Sequence, residues 1–292
     1  MERINNKWVF LVLLSLIWGS SFILIKKGLV GLSALQLGSL RIIFSSFFLL
    51  LIYWKRVYTI NFFEWKWIFI SAFIGSFFPA FLFAFAETEI DSSVASVLNS
   101  IVPLNTLIIG VLIFNIKSSA KQFMGVFIGF IGATLLIISG ININPDQNYL
   151  YAGLVIICSF LYALNVNIIK KHLQHMSAVT LAVGHFSVIF APAILIFYFS
   201  DFRITSLHSA EVQLSIFYVL ILALFATAIA KVLFNKLIQI SSPVFASSVT
   251  YSMLIVSILW GIVDGEKFSI YQLLSTLVIV LGILLTSKKS RN

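Results

Sequence analysis

The sequence predicts an all-α membrane protein, with ten transmembrane helices arranged as two inverted five-helix repeats. Three observations carry that prediction. The mean hydropathy is +1.07 over the 292 residues. Only 10% of residues are charged, against ~25% in an ordinary soluble domain. Finally, SLIWGSSFILIKK at 15–27 returns 144 positions later as SFLYALNVNIIKK at 159–171, Lys pair included. The apolar runs are apolar on every face, which excludes the alternating spans of a β-barrel.

The runs fall near 8–25, 35–54, 67–86, 94–114, 122–141, 149–169, 178–199, 214–235, 243–263 and 271–287. Each approaches the ~20 residues that cross the hydrocarbon. The first follows a basic MERINNK, but Ser20, Ser21 and Lys26 stand where a cleavage pattern would follow, so it reads as a retained span. Turn and charge signals separate the others, among them KRVYTIN, ETEIDSS, NIKSSAK, NPDQN and DGEKFS. The chain divides into a first five-helix repeat at 1–142, a second and inverted one at 149–287, and a tail at 288–292. That leaves no room for a soluble domain.

Lys and Arg decide orientation. With the N-terminus in the cytoplasm, the inner segments carry Arg3, Lys7, Lys55, Arg56, Lys66, Lys117, Lys121, Lys170, Lys171, Lys236, Lys288, Lys289 and Arg291. The outer loops carry only Lys26, Lys27, Arg203 and Lys267. The formal charge of +9 is therefore a topology signal rather than a nucleic-acid footprint. The expected setting is a bacterial cytoplasmic membrane, multi-pass, with both termini inside. The lone Cys158 lies in an apolar run and can form no intrachain disulfide.

At the 144-residue offset Ser15, Trp18 and Ile25–Lys27 meet Ser159, Tyr162 and Ile169–Lys171. Later the offset becomes 150, so Ile90, Ser92, Gln122 and Gly132 meet Ile240, Ser242, Gln272 and Gly282. An odd number of spans per copy reverses the second copy. The two Lys pairs then become interfacial anchors on opposite faces. Inverted halves suit alternating access, because exchanging their conformations turns an outward-open carrier into an inward-open one.

The motifs WGSSF at 18–22, Arg41, SSVASVLNSIVPLNTLIIGVLIF at 92–114, ATAIAKVLFNKL at 226–237, SPVFASSVTY at 242–251 and WGIVDGEK at 260–267 occur in an order that resembles the drug/metabolite transporter superfamily. The similarity is to its EamA-type ten-helix branch and covers essentially the whole chain. It implies transport, often outward, of small organic metabolites such as amino acids. The family's Pro of the fourth span is present as Pro103, while Met253 holds the equivalent place in the ninth. The Gly-Glu motif stands as Gly265–Glu266, and Asn115–Ile116 replaces it in the first half. A kink is thus expected in one half alone.

Polar groups inside a membrane are costly unless they face a cavity or a partner helix, which makes them the candidates. No Asp or Glu lies in an assigned span; Glu87, Glu89, Asp91, Asp264 and Glu266 sit at outer ends and read as solvated. That argues against a proton-exchanging carboxylate and for neutral, zwitterionic or anionic solutes. Arg41 and its repeat mate His185 are candidate cavity or gate residues; the bland readings are snorkelling for Arg41 and a helix carbonyl partner for His185. Trp18 and Tyr162 offer amphipathic walls, and Ser20, Asn99, Asn165, Thr250 and Tyr251 complete the candidate substrate contacts. Gly19 and Pro103 are candidate gating or kink positions. Lys231 is either a cavity charge or a residue snorkelling to the inner face. Gly110, Gly125, Gly129 and Gly132 read as close-packing positions.

The main rival classes are an integral-membrane enzyme and a channel-like facilitator. An enzyme would need a reactive constellation, yet HExxH, paired intramembrane Asp and a phosphate-cradling loop are all absent from the sequence. No cofactor and no metal site is expected. The expected partners are the lipid bilayer and a small-molecule solute, with the chain a monomer or homodimer.

Overall fold

The computed structural model describes residues 2–116, 118–141, 148–265 and 270–287. It is all-α among these residues, a multi-pass membrane fold. Eight helices are long and apolar enough to cross a membrane. In chain order they are α1 (Asn6–Gly28), α2 (Ala34–Thr59), α3 (Phe62–Ala86), α4 (Ser92–Leu112), α6 (Ala152–His172), α7 (Ala178–Tyr198), α8 (Ala210–Ile240) and α9 (Pro243–Val263). Two more helices, α5 (Ala120–Ile141) and α10 (Ile270–Ser287), carry shorter apolar stretches at Ala120–Gly132 and Leu273–Gly282. The described residues therefore hold eight clear spans where the sequence predicts ten. Lys117, Glu266, Lys267, Lys288, Lys289 and Arg291 lie outside the described residues.

Local chemistry sets the helix ends. Ser33 caps α2 in a reciprocal box with Gln36, whose Nε2 reaches on to Ser200 O at 2.9 Å. Asn61 and Glu64 form the corresponding box ahead of α3. Ser177 caps α7 by accepting from Thr180 N at 3.1 Å.

Five spans are interrupted in mid-helix, the first of them α1 at Ser20, beside the candidate kink residue Gly19. A π-helical turn occupies Phe73–Phe77 of α3 and another Leu222–Ile229 of α8. α4 breaks at Ser100–Ile101, with Pro103 opening its second half. α9 breaks at Ser248, where the backbone N–H reaches Val244 O and Phe245 O together. The expectation of a kink in one half alone is corrected. Met253 does not prevent the break in α9, because the interruption comes five residues earlier and needs no proline.

Packing joins α1 to α9, α4 to α6, α2 to α7 and α8, α3 to α7 and α6, and α5 to α10. α1 and α9 touch at Gly19, where an added Cβ would fall 2.7 Å from Met253 O. Ser15 and Ser252 share a hydrogen bond at the same seam. At the α5–α10 contact a Cβ on Gly282 would lie 2.6 Å from Gly125 O, so the two backbones meet almost directly. Outward faces stay apolar, as at Leu51, Phe69, Leu112 and Leu259, which suits a lipid surround.

Candidate functional site

A cavity of ≈ 100 Å³ opens where α1, α2, α3, α4, α6, α8 and α9 converge. A single water needs about 10–15 Å³ by the same measure, so the space suits a small solute. Each mid-helix interruption contributes to its wall: Trp18 and Ser21 from α1, Gly75 and Ser76 from α3, Ala226 and Thr227 from α8, Asn99 and Val102 from α4, and Ser247 and Thr250 from α9. An interrupted helix leaves backbone groups out of the regular ladder. Those groups survive in a membrane only beside a partner or a wet cavity.

Two cations face this space. Arg41 donates from Nε to Thr227 Oγ1 at 2.8 Å, and Thr227 in turn donates to Leu222 O at 3.1 Å, five residues back across the π turn. Lys231 is 6% exposed and donates from Nζ to Gly75 O at 3.1 Å, a carbonyl of the other π turn. Snorkelling is thereby ruled out for Lys231, and Arg41 is held by Thr227 on the cavity wall. No Asp or Glu lines the cavity among the described residues.

Aromatic and amide groups shape the rest. Trp18 donates from Nε1 to Ala226 O at 2.9 Å and packs edge-on to Phe234, with centroids 4.8 Å apart. Tyr162 stacks on Phe83 at 6.2 Å. Asn165 accepts from Ser71 Oγ, which ties α6 to α3. Asn99 lies 5% exposed, and its Oδ1 has no hydrogen-bond partner among the described residues. Asn167 donates from Nδ2 to Thr106 O and Ala163 O and serves as helix–helix glue, while its Oδ1 likewise has no partner among the described residues.

Of the candidates read from sequence, Trp18, Arg41, Asn99, Tyr162, Asn165, Thr250 and Lys231 lie on this one cavity. Others lie off it. Ser20 accepts from Trp260 Nε1 at 2.8 Å, and its neighbour Ser21 takes the wall position. Gly19 packs on α9. Pro103 is buried behind Val102. Tyr251 is fully buried against Gly129, its hydroxyl toward Val126 O at 3.4 Å. His185 is fully buried with both ring nitrogens unpartnered among the described residues, so the helix-carbonyl reading fails.

Acidic groups need one correction. Glu87 is not solvated: it is 7% exposed, and its Oε2 accepts from Ser92 Oγ at 2.9 Å. Asp264 pairs with Lys26 at 2.9 Å and also with Lys27. Burial raises its carboxyl pKa, but the hydrogen bonds from Lys27 and Lys26 outweigh that and hold it below the usual range. At the other Lys pair, Lys170 donates to Ile238 O at 3.1 Å and Ser241 O at 2.9 Å, while Lys171 lies 5.5 Å from the Phe114 ring. Both doublets thus bind protein rather than acting only as lipid anchors.

Comparison with known proteins places this cavity in a family. The EamA-like transporter family matches residues 6–138 and again 150–288. The chain belongs to the EamA-like transporter family. Membership places it among transporters and not among enzymes. It is 28% identical over 285 residues to the uncharacterized inner membrane transporter YedA of Escherichia coli K12, covering 94% of this chain and 88% of that one. It is also similar to the protein PagO of Salmonella typhimurium (23% over 182 residues) and to an uncharacterized transporter of Archaeoglobus fulgidus (28% over 183). The matched regions span 60% and 62% of those two relatives. One crystal structure superposes at a TM-score of 0.73 with 13% identity, covering 96% of both chains, a likeness of fold alone.

Proposed function

We propose that this chain is a secondary carrier of small organic metabolites bearing a carboxylate, amino acids among them, working by alternating access as an exporter or exchanger. The observation that carries the reading is a cavity among the spans that holds Arg41 and Lys231, with no carboxylate on its wall among the described residues. Buried charges are costly unless paired, so a cavity wall with two cations is built for an anionic group. Trp18, Tyr162, Asn165, Thr250 and Asn99 line the solute's remaining surface.

Ten spans in two inverted halves, 1–142 and 149–287, fit this carrier. The double family match supports the duplication. So does the packing: with α1–α5 mapped onto α6–α10, the contact of α1 with α9 has its mate in α6 with α4, and α2 with α8 in α7 with α3. The doublets follow the same rule. Lys27 meets Asp264 and Lys171 meets Phe114, and both members of the second pair are displaced by the repeat offsets, 144 and 150. These ties belong to opposite faces, one from α1 to the end of α9, the other from α6 to the end of α4. Rocking would loosen one as the other closes. Cytoplasmic termini follow from the Lys and Arg distribution, and a relative named as an inner membrane transporter supports a bacterial cytoplasmic membrane.

Reconstitution into liposomes tests this. A preloaded panel of amino acids and small metabolites should show saturable counterflow, with no requirement for a pH gradient. Absence of saturable flux for every solute would overturn the carrier reading, and flux without saturation or counterflow would make the protein a channel.

A further inference from the structure

We infer that the solute carries two carboxylates and one N–H or O–H donor, as a four- or five-carbon amino- or hydroxydicarboxylate does. The inference rests on the carrier reading and narrows it.

The two cations are separate binding points on one wall. Arg41 is held at Thr227, and Lys231 follows four residues later on the cavity-facing side of α8, across the end of the π turn. Among the described residues each side chain has a single hydrogen-bond partner, and that partner is an uncharged oxygen. Arg41 keeps the rest of its guanidinium, and Lys231 two further donors, for a ligand. Two carboxylates joined by a short carbon chain meet two cations set apart in this way; one carboxylate serves one of them.

Across the cavity on α4, the buried Asn99 Oδ1 has no partner among the described residues. A buried acceptor left unpaired is unfavourable, so this atom calls for a donor on the solute. Trp18, Phe83, Tyr162 and Phe234 confine the space to ≈ 100 Å³, which favours a short chain.

The test is counterflow in proteoliposomes with L-aspartate, L-malate, succinate, L-serine and L-leucine. Aspartate or malate should exchange at least roughly tenfold better than serine or leucine, a margin of ~1.4 kcal/mol. Succinate, which lacks the donor, should fall between, and the aspartate-to-malate ratio tells an amino from a hydroxy solute. Lys231→Gln should cut dicarboxylate exchange at least roughly tenfold and leave little preference over serine. Lys231→Arg keeps the charge and should retain the preference, which guards against a Gln variant that fails to fold. Asn99→Ala should draw the aspartate and malate rates toward that of succinate. Saturable exchange of serine or leucine with no response to either dicarboxylate would overturn this inference and leave the carrier reading standing. No saturable exchange of any solute would end both.

Discussion

At the scale of single residues, the site depends on how Arg41 is held. Thr227 both accepts from Arg41 and donates to Leu222 O, so it positions the guanidinium without needing to touch solute. Thr227→Val should raise KM for the transported solute several-fold with a smaller change in maximal rate, and Thr227→Ser should restore it. Equal loss in both parameters, without rescue by Ser, would assign Thr227 to the fold alone. Arg41→Leu should lower exchange by at least ~100-fold, since a charge-assisted hydrogen-bonded pair is worth roughly 3 kcal/mol, and Arg41→Lys should keep part of the activity. Full exchange in Arg41→Leu would remove it from the site. Arg41 was legible in the sequence because an Arg inside a span is costly and needs a reason. Lys231 was ambiguous, since its position near a span end permits snorkelling. Ser20 and Tyr251, read as substrate contacts, lie off the wall, because a step of one rotates a helical side chain by about 100°: Ser21 takes the place of Ser20, and Thr250, also read from the sequence, faces the cavity where Tyr251 does not. His185 shares Arg41's place in the repeat, yet its ring is off the cavity wall.

At the scale of elements, the interrupted helices build the cavity, and sequence patterns were poor guides to them. A π turn has no compositional signature, so Gly75, Ser76 and Thr227 carried no signal beyond being small or polar. Pro103 marked the break in α4, whereas α9 breaks at Ser248 through hydroxyl-rich sequence and turn geometry. The Lys doublets were visible as a repeat, but their partners became visible only when α9 and α4 were placed beside them. The ion pair of Lys26 and Lys27 with Asp264 is partly exposed, so its worth is about 0–1 kcal/mol. Its pH dependence has a definite sign. The folded carboxyl titrates below its unfolded value, so the tie contributes fully above that unfolded value, near pH ~4, and is lost as pH falls through the lower folded one. Wild type should therefore melt slightly higher than Asp264→Asn from pH 5 to 8, with the difference vanishing toward pH 3. A difference that grows on acidification would contradict the pairing.

At the scale of the whole molecule, hydropathy and the 144-residue echo were enough to read an all-α multi-pass membrane fold. The contact of α5 with α10 shows what such patterns cannot convey, since glycines read only as close-packing positions prove to bring two backbones together. Gly282→Leu should clash with Gly125 and Gly129, lowering the melting temperature by several degrees while Trp18, Arg41 and Lys231 remain intact; an unchanged Tm would argue against that interface. The central claim is that the cavity around Arg41 and Lys231 communicates alternately with the two sides of the membrane. It is tested most directly by Ser76→Cys in a Cys158→Ser background, labelled with a membrane-impermeant thiol reagent applied from either face. The account predicts labelling from both faces and protection by transported solute. Labelling from one face only, unchanged by any solute, would contradict it.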